Sequence, residues 1–354
     1  MKNIFIKLII AVAKCLQKEK ASSARRSFLI VSTTGLGDTL WGTPALRALR
    51  NTYPTSTISV LTSPIGQEVF ENNPHINWLF VWGKKPMWRL FIAMRPLRFD
   101  TILIFHTSQR AVLPFCYFLG ASEIVGTEKM NKGLDEILTT AVPQAHIHEI
   151  ERRLKVVAKV GARPSDFSME LYLHEESEKE ASAFLNQNPA PSYIPLIGLH
   201  PGAKDGFKQW PPEHFIEVGN RLVDHLGCQI IVTGNASEKQ LVEEIASKIK
   251  GAIPATELTL KGLAALMKKM AVVITNDTGP MHVAFAVKTS TVAIFCATDP
   301  KLCGPYSLRS KVQVIHKPVT CSPCLRKRCR EPFCLLQIPP QDVYDATLTL
   351  YYHA

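Results

Sequence analysis

Apolar and polar positions alternate along the chain in two kinds of block. Short β-branched and apolar runs at 28–32, 58–61, 78–81 and 101–105 read as buried strands. Segments with helical periodicity lie between them, the first spanning 39–49. A charged and then Pro-rich stretch, 175–195, interrupts the series, as expected of a helix followed by a connection. The alternation then resumes, with strands at 196–200, 229–233, 272–275 and 291–295. Its helices are expected at 212–226, 238–249, 260–270, from 280 onward and at 342–352. Alternating strands and helices predict parallel α/β sheets. Two successive series predict two Rossmann-like domains facing a central cleft, at 27–177 and 196–335. Residues 178–195 are then a linker, and 336–354 a C-terminal helix returning to the first domain.

Strand ends carry the chemistry in such sheets, because ligands bind outside their carboxyl edge. The stretch 272–286 is a β-branched run broken by Asn276 and Asp277, after which Thr278, Gly279 and Pro280 open a helix. Proline suits a first helical turn, and the N–H groups following Asp277 form an anion site. That turn is expected to hold the diphosphate of a nucleotide-sugar. A second loop, 200–211, is glycine-bearing, contains Lys204 and Lys208, and ends in Trp210-Pro211, which suits contact with phosphate. At a third strand end, Glu238 offers a carboxylate to ribose hydroxyls.

The first strand ends in Gly35-Leu36-Gly37-Asp38. A dinucleotide fingerprint is excluded: Leu40 stands where a third glycine belongs, and 52–62 contain no acid. No Gly-Lys-Ser/Thr occurs, which excludes a P-loop. Asp38 then reads either as a helix N-cap or as a catalytic carboxylate. His106, Ser108, Gln109 and Arg110 follow another strand end, with Ser108 and Arg110 as acceptor-side candidates. His146 and His148 precede a helical pattern and fit its start.

Composition adds a normal globular chain of 354 residues, 46% hydrophobic and 20% charged. The net charge of +11 suggests nucleic acid, but its distribution argues against it. Residues 1–26 hold seven Lys/Arg against one Glu, and 317–330 hold five with no acid, so the remainder balances to zero. In 1–26 a stripe of Ile4, Phe5, Leu8, Ile9, Val12 and Leu16 lies opposite lysines, which suits a basic amphipathic helix on an anionic membrane face. The alternatives are a helix packed on its own domain and a weak signal peptide. Cys321, Cys324, Cys329 and Cys334 have the count of a zinc site with unusual spacing, and free thiols are the other reading. No Asp-x-Asp pair occurs, so neither a diphosphate-bridging metal nor a cofactor is expected.

Taken together, three blocks resemble glycosyltransferase family 9, the lipopolysaccharide heptosyltransferases. They are 35–38 with Thr43-Pro44-Ala45-Leu46-Arg47; His200-Pro201-Gly202-Ala203 through Lys208-Gln209-Trp210-Pro211; and Asn276-Asp277-Thr278-Gly279-Pro280-Met281-His282. The resemblance covers 28–335. It implies the GT-B fold, with the acceptor on the first domain and the nucleotide-sugar on the second. It further implies transfer from ADP-L-glycero-D-manno-heptose to a Kdo or heptose of the inner core, by an enzyme on the cytoplasmic face of the inner membrane. Position by position, Asp38 matches the general base and Lys208 a lysine at the donor phosphates, with Lys204 as its rival. Asp277, Thr278, Gly279 and His282 match the donor turn, and Glu238 a ribose contact. Two other readings stay open: a GT-B transferase of another sugar or acceptor, and a non-catalytic nucleotide- or nucleic-acid-binding protein.

Overall fold

The computed structural model describes residues 26–353 apart from 190, 192, 297, 308 and 318–332. Two expectations, the amphipathic segment before Arg26 and the cluster members Cys321, Cys324 and Cys329, lie outside the described residues. The chain divides into two compact units between Tyr172 and Leu173.

The first unit runs β1 (Ser27–Thr33), α1 (Leu36–Leu40), α2 (Thr43–Thr52), β2 (Thr57–Thr62), α3 (Pro64–Phe70) and β3 (Trp78–Val81). It continues with α4 (Met87–Met94), β4 (Thr101–Thr107), α5 (Val112–Phe118), β5 (Glu123–Thr127), β6 (Thr140–Val142) and α6 (Glu149–Ala158). Its strands are all parallel, in the order β3-β2-β1-β4-β5-β6. β1 is buried along its whole length, as both faces of a parallel sheet are covered. The helix expected at 39–49 is split at Trp41-Gly42, where a Cβ on Gly42 would sit 3.0 Å from the Phe105 ring. Thr43 and Pro44 then restart it.

The second unit contains α7 (Glu175–Gln187), β7 (Leu196–His200), α8 (Pro212–Leu226), β8 (Gln229–Thr233), α9 (Lys239–Ser247) and β9 (Ile253–Ala255). Then come α10 (Leu260–Lys268), β10 (Val272–Asn276), α11 (Gly279–Ala286), β11 (Ser290–Phe295), α12 (Pro300–Cys303), β12 (Val312–His316), α13 (Phe333–Leu336) and α14 (Pro340–Tyr352). The parallel order β12-β11-β10-β7-β8-β9 repeats that of the first sheet. On one face Ile197, Leu199, Ile230, Val232, Val272, Ile274, Val292 and Ile294 alternate along their strands and form the core with α8, α9 and α14.

Two boundaries differ from the expectation. The segment expected as a linker is largely α7, which packs on α10 in the second unit. Glu180 accepts bonds from the Thr259 backbone N–H (2.7 Å) and hydroxyl (2.5 Å) at the start of α10. The C-terminal helix does not return to the first domain; it belongs to the second. Val343, Ala346 and Leu350 place one apolar stripe in that core, and the Arg221 guanidinium lies 4.1 Å from the Tyr344 ring centroid.

Candidate active site

In a sheet ordered 3-2-1-4-5-6, crossovers leave the middle pair of strands in opposite directions, so a crevice opens at the carboxyl ends of that pair. In the first unit the pair is β1 and β4; in the second it is β7 and β10. The polar loops singled out in the sequence follow these four strands, and Glu238 lies in the turn after the adjoining β8.

At the first crevice Asp38 lies in α1, where it provides no N-cap bond; Gly35 is the N-cap residue. One oxygen of Asp38, Oδ1, lies 3.1 Å from His106 Nδ1 and accepts a bond from Arg153 Nη2 at 3.0 Å. A register shift where β1 meets β4 pairs Val31 with Ile104 and Ser32 with His106, leaving Phe105 as the extra residue. Such a bulge re-aims the next side chain, here His106. The Phe105 carbonyl accepts from Arg152 Nη1 at 3.2 Å. The two strand ends are tied by a 2.7 Å bond between the Thr33 and Thr107 hydroxyls.

Arg153 went unnoticed in the sequence, and it is completely buried. A buried guanidinium is costly unless paired. It donates to the Glu149 carboxylate (2.5 Å) and carbonyl (2.9 Å) as well as to Asp38, and lies over the Trp41 ring at 5.4 Å. Arg152 also pairs with Glu149. His148 caps α6, its Nδ1 accepting the Ile150 N–H, in agreement with its expected place at the helix start. Burial alone would raise the Asp38 pKa. The His106 hydrogen bond and the charges of Arg153, His106 and Arg152 outweigh it and hold the carboxyl at about 2. Asp38 is thus an anion throughout the physiological range. Of the acceptor-side candidates, Ser108 donates to the Thr33 carbonyl at 3.2 Å, and exposed Arg110 reaches the Lys132 carbonyl at 3.3 Å. Ser108 therefore sits at this crevice; Arg110 leans toward the loop after β5.

At the second crevice Lys208 Nζ lies 2.6 Å from Asp277 Oδ2, which also accepts from the Thr298 hydroxyl at 2.5 Å. Asp277 is only 8% exposed, so its charge is matched by Lys208 rather than by water. Lys204, the rival, is exposed. Asn276 fixes the two loops together: its side chain donates to the Pro201 carbonyl (2.8 Å) and accepts the Trp210 N–H (3.1 Å). Trp210 in turn donates its indole N–H to the Ile338 carbonyl at 3.0 Å.

Thr278 is the N-cap residue of α11 but makes no side-chain cap bond, and its buried hydroxyl has no hydrogen-bond partner among the described residues. The first turn, opened by Gly279 and Pro280, therefore has uncapped N–H groups. His282 is buried within α11, its ring edge-on to Phe285. Glu238 closes a capping box, accepting the Asn235 N–H at 2.9 Å. It also lies against the 200–211 loop: a Cβ on Gly202 would fall 2.1 Å from Glu238 Oε1, so a side chain there would push the Glu238 carboxylate aside. Lys208, Asp277, Thr278, Gly279 and Glu238 thus share one sheet edge. Of the cysteine cluster only Cys334 is described, and it is partly buried.

A family model described as glycosyltransferase family 9 (heptosyltransferase) matches residues 87–334. Lys208, Glu238 and Asp277 fall within that span, and Asp38 lies upstream of it. Lipopolysaccharide heptosyltransferase 2 of Escherichia coli K12 is 26% identical over 306 positions, covering 80% of this chain and 86% of that one. Lipooligosaccharide heptosyltransferase 2 of Campylobacter jejuni is 23% identical over 341 positions, covering 90% and 96%. Among solved structures, a family 9 glycosyltransferase from Veillonella parvula superposes with a TM-score of 0.81 at 22% identity, covering 95% of this chain and 100% of that one. E. coli heptosyltransferase II gives 0.75 at 23% identity, covering 92% and 98%. The fold class is the GT-B class expected from the sequence.

Proposed function

Because the chain belongs to glycosyltransferase family 9, we propose that this glycosyltransferase moves heptose from ADP-L-glycero-D-manno-heptose to a Kdo or heptose of the lipopolysaccharide inner core, with inversion. The observation that supports this reading is that both switch-point crevices carry charge suited to one displacement. The first holds a carboxylate, Asp38, and the second a lysine, Lys208, beside uncapped helical N–H groups.

In this mechanism Asp38 takes the proton of the acceptor hydroxyl as its oxygen attacks the anomeric carbon. A carboxylate with a pKa of about 2 is a weak base toward a free alcohol. It suffices when the C–O bond to the leaving diphosphate breaks early, because the attacking hydroxyl then becomes strongly acidic. His106 and Arg153 hold one carboxylate oxygen, leaving Oδ2 for the acceptor. The bond to ADP breaks with negative charge building on the diphosphate. Lys208 and the N–H groups at the start of α11 neutralise that charge, with the Thr278 hydroxyl as a further donor. Charge on the leaving group is thereby met by side chains and backbone, without recourse to a bridging metal. Glu238 receives the ribose hydroxyls, and Asp277 holds the Lys208 ammonium in place. The acceptor is built on lipid, so the enzyme works at the inner face of the cytoplasmic membrane.

Incubation with ADP-heptose and either Kdo-terminated or heptose-terminated core acceptors tests the reading through ADP release. Release with one acceptor identifies the step. Release only with a different nucleotide-sugar would replace the donor, and no release with any donor would remove the enzyme reading.

A further inference from the structure

Helix α4 is apolar nearly all round. Leu90 and Met94, one turn apart, are buried against the first unit, as their i, i+4 spacing requires. Met87, Trp88 and Ile92 point away and are 55%, 60% and 63% exposed. Trp78, at the start of edge strand β3, and Phe118, at the end of α5, add two more exposed apolar side chains. They line, with Phe91, Ile92, Arg95 and Arg98, an open groove of about 1160 Å³ along the amino ends of the strands. Monomeric proteins rarely leave so many large apolar groups together in water.

The surrounding charge is mostly positive, although Asp100, whose carboxylate accepts the Ser27 N–H, also lines the groove. Residues 82–99 contain Lys84, Lys85, Arg89, Arg95 and Arg98 and no acid. Overall neutrality of the body thus conceals a run of five cations in this segment, two of which, Arg95 and Arg98, line the groove. Among the described residues no ion pair engages Lys85, Arg89, Arg95 or Arg98. The Arg89 guanidinium stacks 5.1 Å from the Trp88 ring, and that of Arg95 lies 5.8 Å from the Phe91 ring. A symmetric pairing of two copies through this face would set cation against cation. An anionic bilayer meets both features, since tryptophan rings settle at headgroup depth and arginines pair with lipid phosphates.

We propose that α4, with Trp78, Phe118 and the Arg95–Leu97 turn, is a docking surface for an anionic phospholipid bilayer. The surface holds the first unit, not merely the basic segment before residue 26, against the membrane. It deepens the proposed function by holding the enzyme at the bilayer that bears the acceptor, and it rests on that reading only for its purpose. Each cation near such a surface contributes about fivefold to partitioning.

The test is sedimentation of the full chain with vesicles of phosphatidylglycerol and phosphatidylcholine, against phosphatidylcholine alone, without any sugar substrate. Wild type is expected to bind the anionic vesicles and to lose binding at high salt. The Arg95→Gln/Arg98→Gln variant should bind roughly tenfold or more weakly. Trp88→Ser/Ile92→Ser should weaken binding likewise, with both melting profiles unchanged. Brominated lipids should quench wild-type tryptophan fluorescence, and Trp78→Phe/Trp88→Phe should abolish the quenching. Undiminished binding by the folded variants overturns the proposal, as does the absence of quenching. A dimer that Trp88→Ser/Ile92→Ser dissolves overturns it too. A chain that releases ADP from its donor yet ignores vesicles refutes the surface and leaves the transfer reaction standing.

Discussion

Replacing Asp38 by Asn probes the first crevice through both stability and chemistry. In the folded chain the Asp38 pKa drops from 3.8 to about 2. At about 1.4 kcal/mol per unit, and with Asp38 27% exposed, the ion's favourable setting contributes on the order of 2 kcal/mol. The folded pKa is depressed, so this stability is present above pH 4 and is lost as pH falls toward 2. Asn at position 38 cannot titrate. The stability advantage of wild type over Asp38→Asn should therefore shrink by about 2 kcal/mol between pH 5 and pH 2. Four of the five tryptophans, Trp41, Trp78, Trp82 and Trp88, lie in the first unit, so urea melts followed by fluorescence report on it. The same variant should retain ADP binding and lose about 10²- to 10⁴-fold in turnover, the usual range for a general base. Parallel pH curves for the two proteins would refute the electrostatic account. Near-normal turnover would remove Asp38 as the base.

Glu149→Gln takes away a carboxylate shared by two buried arginines and should destabilise the first unit by about 3 kcal/mol, read as a lower urea midpoint. Lys208→Ala should weaken ADP binding and cut turnover at least a hundredfold, while Lys204→Ala leaves both near wild type; equal effects would return Lys204 to the role. Burial pushes the His200 pKa down from 6.5 to about 4, so the unfolded chain takes a proton there that the folded chain does not. Stability present above pH 6.5 should thus fall by about 1.4 kcal/mol per unit between pH 6.5 and 4, and His200→Gln should flatten that slope in melts followed by Trp210.

The strands buried on both faces were legible because continuous β-branched runs serve no other purpose. Those at 196–200 and 229–233 have the predicted limits, as does the partly exposed edge strand at 78–81. The strands that escaped notice, β5, β6, β9 and β12, lie outside the sheet centres. β6 and β9 are three-residue edge strands, and β9 contains Pro254, which is tolerated only where one side of the ladder is open. The linker misreading has a similar cause. The segment is charged because α7 buries little more than Ser177 and Ala181, and its bonds to Thr259 appear only once α10 is beside it. Arg153 did leave a trace: Ile150, Arg153, Leu154 and Val157 fall at i, i+3, i+4 and i+7, so a cation occupies a core position. That pattern marks a buried charge without naming its partner.

The sequence by itself determined two α/β series and the polar residues at their strand ends, because period, glycine, proline and charge act over a few residues. It also carried the family's motifs in order. Only the tertiary structure decided the sheet order, and with it which strand ends share a crevice. Asp38 meets His106 across 68 residues and Arg153 across 115, while Lys208 meets Asp277 across 69. Those meetings depend on crossovers and on a bulge at Phe105, which arise from packing between distant segments. The pKa of Asp38 follows from the same encounters. A local stretch supplies the carboxylate; an imidazole from another strand and a buried guanidinium from another helix hold it ionised.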